Sequence, residues 1–118
     1  MCAPSIDWAK ALLIAGGSPA VRDQIVDGVL DLFAEQGELA ALFSIAPHPD
    51  DIRGLRELSH RAIGLAKQGA MPRLEALCAR LHTCLADNRF EDAGALGAVL
   101  REEREHVRRA VVALRRQG

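Results

Sequence analysis

One histidine, His60, is surrounded by residues that could make it a nucleophile. On a helix turning about 100° per residue, His60 lies about 160° from Ala62 and about 140° from Leu55, away from the apolar stripe those two define. The same outer stripe carries Arg53, Arg56, Glu57, Gly64 and Lys67. A phosphoryl group on a ring nitrogen adds negative charge that Arg56 and Lys67 can reach, and Gly64, one turn later, lets the backbone of another protein come close. Imidazole side chains titrate at about 6.5, so a neutral nucleophile exists near neutral pH without a dedicated base. Without such neighbours, a histidine on a polar helix face is an ordinary solvated side chain.

Other chemistry-bearing residues carry less. Cys78 and His82 have the i, i+4 spacing of two ligands on one helical face, with Cys84 and His106 as further candidates. No Cys-x-x-Cys or His-x-x-x-His pair accompanies them, and Cys78 falls on an apolar stripe, so no metal site and no cofactor is expected. His48, between Pro47 and Pro49, reads as a loop residue. The cysteines Cys2, Cys78 and Cys84 are odd in number. Six residues of helical rise would separate Cys78 from Cys84 by about 9 Å, beyond the roughly 7 Å that a disulfide spans.

The elements that must position His60 are helical. Ala, Leu, Arg and Glu dominate every long segment, Tyr is absent, and β-branched residues are sparse, so an all-α chain is expected. A short first helix over Ser5 to Ile14 starts near Ser5 or Asp7 and stops at Gly16-Gly17. Ser18 and Pro19 open a long second helix with Val21, Ile25, Val29, Leu32, Phe33, Leu39 and Leu42 on its apolar face, broken at Ala46-Pro47-His48-Pro49. Asp50 or Asp51 caps a third helix that turns Ile52, Leu55, Leu58, Ala62, Leu65 and Ala66 inward and runs to about Gly69. Pro72 begins a fourth, with Leu74, Leu77, Cys78, Leu81 and Leu85 inward, and Asp87-Asn88 turns into a fifth lined by Phe90, Ala93, Leu96, Leu100, Val107, Val111 and Leu114. The short connections predict an antiparallel up-and-down four-helix bundle preceded by a short cap helix, one domain over residues 1–118.

Composition narrows the function classes. The chain has 118 residues and 15 Lys and Arg against 16 Asp and Glu, so it lacks the broad basic footprint of a nucleic-acid binder. The last segment sets Arg101, Arg104, Arg108, Arg109, Arg115 and Arg116 against Glu102, Glu103 and Glu105 and reads as a solvated face without interleaved aromatics. No apolar run is long enough for a membrane span, and Met1 to Ser5 shows no secretory signal, so a cytoplasmic protein is expected, and a bundle of this size is expected to be a monomer.

The sequence resembles the histidine-containing phosphotransfer (HPt) family over most of its length. The resemblance is carried by Leu32-Phe33, by Leu58-Ser59-His60-Arg61-Ala62-Ile63-Gly64-Leu65-Ala66, by Gly69-Ala70, and by Leu74-Glu75-Ala76-Leu77-Cys78-Ala79-Arg80-Leu81. It implies a phosphocarrier, not an enzyme, that relays phosphoryl groups between response-regulator receiver domains or from a hybrid histidine kinase. His60 is then the phospho-accepting residue and Gly64 the small residue that keeps its face open, while the partner supplies Mg²⁺ and the aspartyl phosphate. The family usually has Lys three residues after the histidine, where this chain has Ile63, and the interval to Gly69-Ala70 is one residue shorter than the common pattern. Arg56 and Lys67 are the cations that could replace that lysine, and Ile63 and Met71 are candidates for a partly exposed apolar rim against a docked receiver. The two departures equally fit an HPt-like module that binds a receiver or kinase without transferring phosphate. A helical dimerisation or regulatory protein outside signalling is the third reading.

Overall fold

The computed structural model describes residues 4–117, so Cys2 and the Met1 to Ala3 part of the stretch inspected for a signal lie outside the described residues. Within them every regular element is helical: α1 (Trp8–Ile14), α2 (Pro19–Leu32), a 3-10 turn (Ala40–Phe43), α3 (Ile52–Gln68), α4 (Pro72–Ala86) and α5 (Phe90–Gln117). The starts follow from side-chain oxygens that satisfy otherwise orphaned amides. Asp7 accepts from the Lys10 amide at 3.1 Å, Ser18 from Val21 at 3.2 Å, and Asp51 from Gly54 at 2.9 Å. Gly16 and Gly17, at φ +68° and +85°, end α1 as its sequence requires.

The second helix is shorter than its apolar spacing predicts. It ends at Leu32, and Leu39 and Leu42 reach the core from a separate turn. The Leu39 amide donates to the Leu32 carbonyl at 3.1 Å, folding the chain back over the helix end. A Cβ on Gly37 would lie 2.5 Å from the Asp31 oxygen and 2.6 Å from that of Leu32, so glycine is required for this return. The sequence sign is the stretch Ala34 to Glu38, which offers no large apolar residue to continue the buried stripe.

The last three helices form the frame for His60. The turns at residues 69–71 and 87–89 are too short for anything but antiparallel neighbours, and α4 lies between α3 and α5. Each turn places a non-glycine residue in the left-handed region, Ala70 at φ +55° and Asn88 at +59°. Both belong to the same cap motif: the Met71 amide donates to Ala66 at 2.9 Å and the Arg89 amide to Cys84 at 2.8 Å. Ala62, Ala66, Leu74, Cys78, Leu81, Leu85, Leu100 and Val107 are buried between these helices. From α2, Val26, Val29 and Phe33 join them, and α2 meets both α3 and α5. The 28-residue α5 sets the long axis of a molecule measuring 46 × 29 × 22 Å. No helix of the described residues is long and apolar enough to cross a membrane.

Candidate functional site

His60 lies near the middle of α3 on its exposed side. The alternation that puts it there also buries Ser59 and Ala62 on either side, so the inward face of the helix holds the ring outward. Gly64, one turn on, is exposed, and a Cβ built on it meets nothing within 4 Å. Lys67 is exposed in the last turn and makes no ion pair among the described residues. Around them Arg53 pairs with Glu57, and Arg61 with Glu38 from the turn after α2.

Arg56 is engaged elsewhere. Its Nε donates to the Leu85 carbonyl at 2.9 Å and one terminal nitrogen donates to Asn88 Oδ1 at 2.7 Å, which ties α3 to the end of α4 and to the turn beyond. The guanidinium in this fork has a structural use. Arg56→Ala is expected to cost about 1–2 kcal/mol of stability, since it removes both bonds of the guanidinium and leaves the Leu85 carbonyl only the longer 3.3 Å bond from the Asn88 amide. Urea midpoints of the wild type, Arg56→Ala, Asn88→Ala and the double variant measure the share carried by the Asn88 contact, and full additivity would show that contact to be idle.

The apolar rim expected of Ile63 and Met71 needs correction. Ile63 is half-buried, but Met71 is 0% exposed and packs inside the turn between α3 and α4. It precedes Pro72 and its amide closes the α3 cap, so its side chain is directed inward among Gly69 and Val29. Helix α3 runs without a break to Gln68 and ends in a regular cap at Gly69.

The structure adds a residue that the helical wheel of α3 cannot show. His82 of α4 lies beside His60, with ring centroids 5.6 Å apart and planes inclined by 50°. Its Nδ1 is 2.7 Å from the buried Ser59 hydroxyl, which also lies 2.9 Å from the Arg56 carbonyl. A carbonyl can only accept, so the hydroxyl proton goes to Arg56 and the Nδ1–H of His82 donates to Ser59. That tautomer leaves the His82 Nε2 lone pair free. The sequence does hold a signal for this contact: in a hairpin turning about Met71, positions equally far from the turn face each other, and His60 and His82 are each eleven residues away.

The cysteine on the same helix has no comparable chemistry. Cys78 is buried, and burial, followed by the nearby charge of Glu75, pushes its thiol up to about 12. It stays protonated at neutral pH and supplies no thiolate to a metal or an electrophile. Cys78 and Cys84 are both free.

A second polar cluster lies between α4 and α5. Glu103 is 3% exposed; its Oε1 lies 3.2 Å from Arg73 Nε and 3.4 Å from His106 Nδ1, while its Oε2 has no protein partner. The groove beside it, about 310 Å³, has walls of Leu77 and Val99 with Arg80 at one side. Charges of both signs meet here, so it presents no single electrostatic preference. Among the described residues no group of three or more histidines, cysteines or carboxylates is placed to hold a metal. No protein-family model matches this chain, and no curated protein is similar enough to place it in a family.

Proposed function

We propose that the chain is a histidine phosphocarrier of the HPt type, in which α2 to α5 act as an up-and-down four-helix bundle capped by α1 and His60 accepts and returns the phosphoryl group. The observation that carries this reading is the exposed His60 near the middle of α3, with the open surface at Gly64 one turn away. A receiver domain holding Mg²⁺ and an aspartyl phosphate is the partner. The lone pair of the neutral imidazole forms the N–P bond, the P–O bond to aspartate breaks, and the carboxylate leaves while the ring proton stays on the other nitrogen. Return of the group to a second receiver reverses these events. The domain supplies only the nucleophile and a place to dock, and works as a cytoplasmic monomer.

Of the two cations proposed to stand in for the lysine missing at Ile63, Lys67 is the one with its charge unengaged, and Arg56 serves as a clamp. The engaged Arg56 is also the observation that favours a second reading, a module that binds a receiver or kinase without transfer. One experiment separates them. The chain and its His60→Gln variant are incubated with a panel of ³²P-labelled receiver domains, and label and binding are measured together. Relay predicts acid-labile label on the wild type and at least a hundredfold less on His60→Gln. Binding without label on either protein would replace relay by the second reading, and no binding would end both.

A further inference from the structure

We propose that His60 and His82 form a two-histidine chelate for a single divalent transition-metal cation of the Zn²⁺ or Cu²⁺ class. The first observation is the separation of the rings. A Zn–N distance of about 2.0–2.1 Å puts each ring centre about 3.2 Å from the ion, so two imidazoles at a tetrahedral angle have centres about 5.2 Å apart. The observed 5.6 Å differs from that by an amount that small side-chain rotations supply. The rings are inclined by 50° and not stacked in parallel, and His60 is exposed to solvent.

The second observation is the support behind His82. Histidines that ligate metals generally hand their other N–H to an oxygen, which fixes the tautomer and raises the basicity of the ligating nitrogen. Ser59 does this for His82: the hydroxyl sits 2.7 Å from Nδ1, is fully buried, and is itself fixed by the Arg56 carbonyl. The free Nε2 is then the ligating atom. Of the cations nearest His60 on α3, Arg61, next to it in sequence, is paired with Glu38, and Arg56, one turn earlier, is drawn to the end of α4 by Leu85 and Asn88, which reduces their repulsion of a bound cation.

The ligand set selects the metal. Two neutral nitrogens suit Zn²⁺, Cu²⁺ or Ni²⁺ and are poor ligands for Mg²⁺ or Ca²⁺, which take oxygen donors. Water completes the coordination, because no third histidine, cysteine or carboxylate of the described residues is in place. Affinity is therefore modest and reversible. Such an ion would occupy a nitrogen of His60, but its binding does not depend on phosphoryl transfer and is tested without it.

The test titrates the full chain with ZnCl₂ and, separately, CuSO₄ by calorimetry, with imidazole ¹⁵N resonances followed by NMR. One ion per chain is expected, perturbing His60 and His82 and leaving His48 and His106 in place. His60→Gln and His82→Gln should each weaken binding at least tenfold, and Ser59→Ala by less, with circular dichroism confirming that each variant is folded. MgCl₂ should produce no saturable heat. Unchanged binding in folded His82→Gln, one ion per two chains, or no saturation by millimolar Zn²⁺ overturns the proposal.

Discussion

Met71→Ala is expected to lower the stability of the protein by about 2–5 kcal/mol, read as a fall in the urea midpoint with an unchanged slope. The side chain is 0% exposed, and it fills the interior of the α3–α4 turn beside Gly69 and Val29. Removing its thioether leaves a cavity that the turn cannot collapse to fill. Ala70, already at φ +55°, and the Met71 amide bonded to Ala66 hold the backbone in place. The same Ala70 offers its carbonyl to the Asp7 amide at 2.8 Å, so loosening this turn also frees the start of α1. A docking role for Met71 makes the opposite forecast: weakened receiver binding with little loss of stability. Measuring both at a temperature where the variant is fully folded separates the two. Unchanged stability would return Met71 to the surface.

The second large effect reverses the usual sign of a glycine substitution. Within a helix, alanine is favoured over glycine by about 0.8–1.0 kcal/mol. Gly64→Ala follows this rule, because its added methyl group meets nothing within 4 Å. Gly97→Ala does not: its Cβ would stand 2.4 Å from the Phe43 carbonyl oxygen and 3.0 Å from its carbon, both backbone atoms. The 3-10 turn must then move off α5, exposing Phe43 and Leu42, now 5% and 1% exposed. The contacts of the Arg101 and Arg104 guanidiniums with the Phe43 ring, at 5.9 and 4.9 Å, are lost with it. The net cost is expected to be about 2–3 kcal/mol, the range for forcing atoms into a packed site. Thermal melts of the two variants beside the wild type check this. Equal stabilisation by both substitutions would mean that the turn does not lie on α5 as described.

The pair also bears on the proposed site. Gly64→Ala leaves the fold intact and adds bulk beside His60, so it isolates the need for close approach by a partner. A receiver that binds wild type and Gly64→Ala equally well does not dock over that turn.

The helical class and the starts at Ser18 and Pro72 were legible in the chain, because they depend on residues within one turn of each other, while the sequence narrowed the first and third starts to Ser5 or Asp7 and to Asp50 or Asp51 and the structure selected Asp7 and Asp51. The exposure of His60 was legible for the same reason, as a property of one helix's periodicity. Its apolar spacing also made α2 look continuous to Leu42, since periodicity records that a residue is buried and not which element buries it. Only the packed chain decided that Gly37 lets residues 33–39 turn back, and that Gly97 seats the following 3-10 turn. It likewise drew Arg56 to Leu85 and Asn88, withdrew Met71 into the core and set His82 against His60. These outcomes depend on which side chain of a neighbouring helix lies opposite. That register is set by the summed packing of three helices, while the local pattern of any one of them determines only which of its faces is turned inward.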